Sequence, residues 1–225
     1  MAFVVAIDGP AGSGKGTITK LVGKKIGLVN IDTGAMYRCV TLDCLNKDIL
    51  PEDLEKIEVV LSNIDIKFQK DGEKDLVFLN GENVTDEIRS TKVNTNVAKF
   101  AAIKIVRDKM TPLQREMGKF TNVIMEGRDI GTVVFPDADV KIFLDCSIEE
   151  RANRRFKQNQ EKGIECTYEE VLESIKERHR LETEREVAPF VQAEDAVYVD
   201  STKLTIEEVV ETIVKIIEER KINKG

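Results

Sequence analysis

Nine consecutive residues, Gly9-Pro10-Ala11-Gly12-Ser13-Gly14-Lys15-Gly16-Thr17, constrain this chain more than any other stretch. Four of the nine are glycine, the residue type that lets a backbone wrap tightly round a ligand and present N–H groups in place of side chains. Before them runs Phe3-Val4-Val5-Ala6-Ile7, short, continuously apolar and rich in β-branched residues, which is the pattern of a strand buried on both faces. After them Ile18, Leu21, Val22 and Ile26 recur at helical spacing. Strand, glycine loop and helix in that order give the context a phosphate-binding loop requires, with Gly9, Gly14 and Lys15 at its fixed positions. Gly9, Gly12, Ser13, Gly14, Lys15, Gly16 and Thr17 are therefore the candidate phosphate cradle. Their backbone amides and the helix N-terminus would face phosphate oxygens, while Lys15 would reach the β and γ phosphates of a nucleotide. The loop alone leaves open whether the phosphoryl group goes to water, to a protein or to a small molecule.

Composition narrows the partners. The chain has 225 residues, 41% of them hydrophobic, enough to bury a substantial core as one α/β domain or as one with a smaller inserted lobe. Its formal net charge of -7 and 5% aromatic content argue against a binder that relies on neutralising nucleic-acid phosphates or on stacking bases. Arginines nevertheless cluster in two places, at Arg151, Arg154 and Arg155 and at Arg178, Arg180 and Arg185. No apolar run approaches the roughly 18 residues of a membrane span, and with a strand predicted from Phe3 onward no signal peptide is expected. Cys39, Cys44, Cys146 and Cys166 show neither a CxxC pair nor zinc-ligand spacing, so reduced thiols in a cytoplasmic protein are expected.

Three further apolar runs predict central strands: Val123-Ile124-Met125 leading into Glu126-Gly127-Arg128-Asp129, Val140 to Asp145, and Ala196 to Asp200. Helices are predicted over 36–47, 52–62, 97–118, 148–162, 168–186 and 205–221. The last carries a broad stripe of Ile206, Val209, Val210, Ile213, Val214, Ile216 and Ile217, read as core. Strands alternating with helices predict a parallel sheet covered on both faces, with ligands at the carboxyl ends of its strands. The glycine loop, residues 127–129 and Asp145 should then share one rim. Residues 64–84 differ, because Ile64 to Phe68 alternates, Leu76 to Leu79 does so less cleanly, and Asp71-Gly72 and Asn80-Gly81 are turn signals. They predict a small antiparallel insert, which pattern alone reads equally well as a decorative lobe or as a lid over an acceptor.

The Gly16-Thr17 ending of the loop resembles nucleoside monophosphate kinases more than GTPases. Together IDGPAGSGKGT at 7–17, DTGAMYR at 32–38, GRDIGTVVFPDA at 127–138, KIFLD at 141–145, RANRR at 151–155 and VAPF at 187–190 resemble the bacterial cytidylate kinase family over essentially the whole chain, insert included. GRDIGTVVFPDA is far more specific than the phosphate loop. The resemblance implies an α/β fold of the P-loop nucleoside triphosphate hydrolase type, a parallel sheet flanked by helices, with the small antiparallel insert and a helical lid. It implies one kinase domain over 1–225, with an acceptor-binding lobe over 36–100 that includes the insert at 64–84, and a lid over 148–170. It also implies phosphoryl transfer from ATP to CMP or dCMP with magnesium, for which Thr17 offers the ligating hydroxyl. A cytoplasmic monomer with small nucleotides as partners, and neither nucleic acid nor membrane, is expected.

Residue by residue, the resemblance assigns Thr33, Arg38 and Arg128 to the acceptor phosphate, Asp129 and Arg107 to cytosine, and Arg154 and Arg155, with Arg151, to the transferring phosphoryl group. On residue type alone Asp129 is also a strand-end turn former, and each lid arginine also reads as part of a solvated charged face. Arg178 and Arg185 match a family stretch written approximately RDxxDxxR, as a link to the acceptor sugar and a charge stabiliser at the transferring phosphate. Glu182 stands where the family's aspartate contacts ribose, His179 replaces another aspartate, and Ala98 stands where many members carry serine near the cytosine. Looser discrimination between ribose and deoxyribose, and UMP as a weak substrate, are the expected consequences. His179, the one histidine, reads as an exposed helix residue. Lys15, Arg154, Arg155 and Arg185 are the candidate catalytic set; no strong general base is needed, because the acceptor is already an anion.

Overall fold

The computed structural model describes residues 2–72 and 74–222. In chain order its elements are β1 (Val4–Asp8), α1 (Lys15–Ile26), β2 (Val29–Asp32), α2 (Thr33–Asn46), α3 (Leu54–Asn63), β3 (Ile66–Asp71), β4 (Lys74–Leu79), β5 (Glu82–Asn83), α4 (Thr91–Ala101), α5 (Lys104–Met117), β6 (Val123–Gly127), β7 (Val140–Asp145), α6 (Ile148–Glu161), α7 (Tyr168–Glu184), β8 (Val197–Asp200) and α8 (Ile206–Ile222). They form two compact units. One runs to Asp32 and resumes at Arg115, and the other is Thr33–Gln114. Among the described residues no helix is long and apolar enough to cross a membrane.

The first unit holds a five-stranded parallel sheet in the order β2-β6-β1-β7-β8. All five residues of β1 are buried, as its apolar run requires, and they split by strand alternation. Val5 and Ile7 join Ile124, Ile142 and Leu144 beneath α1 and α8, where Val209, Val210, Ile213, Val214 and Ile217 supply the predicted stripe. Val4 and Ala6 face the other way, with Val123, Met125, Ile130 and Val134. Asp8 pairs with Gly127, and Asp145 with Asp200, so the strands end on one edge, as the sequence predicts. A third small cluster, Ala152, Val171 and Ile175, joins α6 to α7 and forms the helical hairpin that follows β7.

The second unit carries the antiparallel sheet β3-β4-β5. Asn80 (φ 51) and Gly81 (φ 90) make the left-handed turn their sequence predicts. Val77 and Leu79 of β4 pack with Ala35, Cys39 and Leu42 of α2 and with Val93 of α4 in a core of the unit's own.

Two elements depart from expectation. β2 is an additional strand that Val29-Asn30-Ile31-Asp32 does not announce, because it is four residues long, mixed in polarity and at the edge of the sheet. The single helix predicted over 97–118 is two helices, α4 and α5. They are divided at Ala102-Ile103, where the backbone tightens into bonds from Ala102 N to Lys99 O and from Ile103 N to Phe100 O.

Candidate active site

The phosphate loop joins β1 to α1. Gly9 leaves no room for a side chain, since a Cβ there would stand 2.1 Å from the Leu144 carbonyl oxygen of β7. Gly12 is left-handed (φ 85), and a Cβ on it would meet the first turn of α6 at Arg151, 3.0 Å away. Gly14 is the N-cap of α1 and supplies no side-chain cap, so the helix opens with its first N–H groups toward the loop. Lys15 is buried, and its Nζ donates to Pro10 O at 3.0 Å. Burial, reinforced by the neighbouring Arg128 guanidinium, pushes the ammonium down to about 7, while Glu126 and Glu182 oppose the shift. A cation under that stress favours an anionic ligand over an empty loop.

The last residue of β1 fixes the next part of the site. Asp8 is buried, and its Oδ1 and Oδ2 accept the backbone N–H groups of Ile130 and Gly131, each at 2.8 Å. Burial raises its carboxyl to about 6 against the pull of those two amides. The turn so pinned follows β6 and is a wide π-helical one, closed by Val134 N to Asp129 O and Phe135 N to Ile130 O. Its outermost carbonyls, Val133 and Val134, are taken by Arg115. Arg128 and Asp129 therefore sit on a segment tied to the strand that carries the phosphate loop.

Arg128 donates from Nε to Glu182 Oε2 at 2.7 Å, and Arg178 donates from Nε to Glu182 Oε1 at 2.9 Å. Burial alone would raise the Glu182 carboxyl, but the two guanidiniums outweigh it and hold it well below the usual carboxylate range. Glu182 in turn keeps Arg128 above its ordinary range in spite of burial. The Arg128 guanidinium lies 6.0 Å from the centroid of Phe190, part of the VAPF stretch. Arg185 closes the same stretch, with Nε donating to Ala188 O at 2.6 Å and Nη2 standing 3.9 Å from Asp129 Oδ1.

The three arginines of α6 take different partners. Arg154 links Glu150, the carbonyl of Ser13 in the phosphate loop at 3.1 Å, and the carbonyl of Ser201 beyond β8 at 3.0 Å. Arg151 is buried 3.9 Å from Asp145, with no hydrogen-bond partner on Nε or Nη1. Arg155 is half-buried, bonded to Gln158, and pushed down by burial and by Arg178.

The remaining predicted residues belong to the second unit. Thr33 is buried at the start of α2. Arg38 bonds Asn94 and Ile88 O, and buried Arg107 bonds Ala101 O at 3.1 Å and lies 5.4 Å above the Tyr37 ring. Ala98 is buried on α4.

The sequence model of the cytidylate kinase family matches residues 5–219. This chain belongs to that family. A cytidylate kinase of Fusobacterium nucleatum is 51% identical over 219 residues, covering 97% of this chain and 99% of that protein. A cytidylate kinase of Caldicellulosiruptor saccharolyticus is 49% identical over 212 residues, 94% of each chain. Among solved structures, an uncharacterised protein from Eubacterium ventriosum shares the fold, with a TM-score of 0.52 at 11% identity over 96% of this chain and 98% of that one.

Against the cytidylate kinase pattern, His179 is not the exposed helix residue its polarity predicts. It is half-buried, its ring stands edge-on to Phe190 at 5.9 Å, and its Nδ1 is buried without a hydrogen-bond partner. Sequence alone assigns no role to three residues of the site, Asp8, Phe190 and Glu126, although Asp8 and Phe190 lie in motifs that carry the resemblance. Glu126 is the penultimate residue of β6, with its Oε1 3.5 Å from Thr19 Oγ1 and 3.2 Å from where a Cβ on Gly16 would stand. An acid closing each predicted strand was the signal available, but only strand register shows which acid turns toward the loop.

Proposed function

We propose that the chain transfers the γ-phosphoryl group of ATP to CMP or dCMP, giving ADP and CDP or dCDP. An acceptor phosphate oxygen attacks the γ-phosphorus while the bond to the β,γ-bridging oxygen breaks, and the electron pair leaves with ADP. The observation that carries the reading is the group formed by buried Lys15 and the largely buried side chains of Arg128, Arg178 and Arg185 around the phosphate loop of a cytidylate kinase family member. Transfer between two polyanions is limited by charge and positioning, and pre-placed cations in a water-poor site address both.

In this reading the loop amides from Gly9 to Thr17 hold the donor phosphates and Lys15 contacts the β and γ groups. Thr33, Arg38 and Arg128 hold the acceptor phosphate, and Asp129 and Arg107 meet cytosine. Arg178 and Glu182 serve the acceptor, and Arg185, Arg154 and Arg155 offset charge on the transferring group. Residues 36–100 act as the acceptor lobe and 148–170 as the lid. Among the described residues no cluster of three metal-ligating acids, histidines or cysteines occurs. That suits magnesium, which takes few protein ligands and completes its shell with phosphate and water. The exposed Thr17 hydroxyl and the Glu126 carboxylate against the first turn of α1 are oxygen donors of the right kind. When bound, the ion would neutralise phosphate charge. The protein works as a cytoplasmic monomer on free nucleotides.

The test is ADP release coupled to a reporter enzyme, with CMP, dCMP, UMP and AMP as acceptors and magnesium present. CMP and dCMP should turn over and UMP weakly. Turnover of AMP without CMP, or ATP binding with no phosphorylated product, would overturn the proposal.

A further inference from the structure

Glu182 occupies the helix position that the family resemblance gives to a ribose contact, yet in this molecule its carboxylate is engaged elsewhere. The residue is 4% exposed, and each oxygen accepts a charge-assisted bond from a different segment, Oε2 from Arg128 after β6 and Oε1 from Arg178 one turn earlier on α7. The cluster has a back wall, because Phe190 donates its backbone N–H to Glu182 O at 2.9 Å and sets its ring against the Arg128 guanidinium. Both arginines are gripped by the Nε edge. The terminal nitrogens of Arg178 make no protein hydrogen bond among the described residues, which leaves the end of that guanidinium for the bidentate geometry a phosphate favours. A sugar hydroxyl would have to share carboxylate oxygens that each already accept an arginine N–H.

We propose that Glu182 is a positioning residue: it presets Arg128 and Arg178 for the acceptor phosphate and supplies their counter-charge before that anion arrives, and it does not read the sugar. The inference rests on the chain acting as a kinase of CMP and dCMP. It turns the expected weakening of sugar discrimination into a narrower statement, that a change at Glu182 acts on both acceptors alike.

The experiment is steady-state kinetics of Glu182→Gln and Glu182→Asp with CMP and with dCMP, at saturating and at varied ATP. Glu182→Gln should lower kcat/KM by about 10- to 100-fold, the scale of a misplaced binding group, by the same factor for CMP and dCMP. The rise should fall in the acceptor KM, with the ATP KM unchanged. Glu182→Asp keeps the charge but is one methylene short of spanning both arginines, so it should show a smaller loss, again equal for the two acceptors. Should Glu182→Gln fail to fold, the aspartate variant carries the same comparison. A shifted CMP to dCMP ratio in either variant would assign Glu182 to the sugar and overturn the inference, as would unaltered kinetics. A uniform loss of active protein, with every KM unchanged, would reduce the residue to a structural role and overturn it too. Wild-type protein without turnover on either nucleotide marks failure of the kinase reading instead.

Discussion

Asp8 and Glu182 are buried acids with opposite titration, and each organises cations or amides around the phosphate loop. The Asp8 carboxyl is raised from 3.8 to about 6. The folded state therefore holds its proton more tightly, and stability from this group is complete below 3.8 and lost as pH rises through about 6. Glu182 is depressed below its usual 4.5, so its contribution is complete above that value and lost as pH falls toward the folded value. Urea unfolding across pH 3 to 7 should separate them. Glu182→Gln should cost about 3–5 kcal/mol at pH 7, because it strands two largely buried guanidiniums, and should remove part of the acid-side decline. Asp8→Asn should cost about 1–3 kcal/mol, since an amide nitrogen must face either the Ile130 or the Gly131 N–H, and should flatten the slope between 3.8 and about 6. A neutral Asp8→Asn would show that one of those amides has another acceptor. Half of this chemistry is legible in the chain. Glu182 lies four residues beyond Arg178, a spacing that pairs side chains on any helix, whereas the amides that meet Asp8 are 122 and 123 residues away and are found only through the register of β1 on β6.

Among elements, the buried strands and α8 are readable because their periodicity is uninterrupted and their faces are covered. β2 escapes such reading because Val29 is exposed and strand pairing with β6, not side-chain pattern, makes it a strand. The break between α4 and α5 escapes it for the opposite reason. No glycine or proline marks Ala102-Ile103, while Pro112 sits inside α5 without ending it. The start of α7 is specified locally: Thr167 accepts from Glu170 N, and Glu170 accepts from Thr167 N, a reciprocal cap that the sequence contains as Thr-x-x-Glu. Thr167→Ala should cost about 1 kcal/mol. It should raise amide exchange in the first turn of α7 and leave α8 untouched. Uniform exchange across both helices would mean that the cap acts on global stability and not on its own helix.

At the scale of the molecule, a net charge of -7 coexists with a largely buried basic group around the loop, and the two are compatible because few of the acids are buried. Each unit has its own hydrophobic cluster, so loss of a charge in the loop need not unfold either one. Lys15 shows the consequence. Its ammonium is buried, carries one carbonyl contact, and is pushed down by that burial and by Arg128. In the absence of nucleotide it is therefore a cost to folding, since a buried charge without a full partner is destabilising. Lys15→Ala should then be at least as heat-stable as the wild type when no ligand is present. Addition of ATP at about 100 times its Kd should stabilise the wild type by about 2.7 kcal/mol, and most of that gain should vanish in the variant. Paired thermal scans with and without ATP decide the point. A variant that melts well below the wild type without nucleotide would show that the bond to Pro10 outweighs the burial of the charge, and an undiminished ATP shift would remove Lys15 from the donor site.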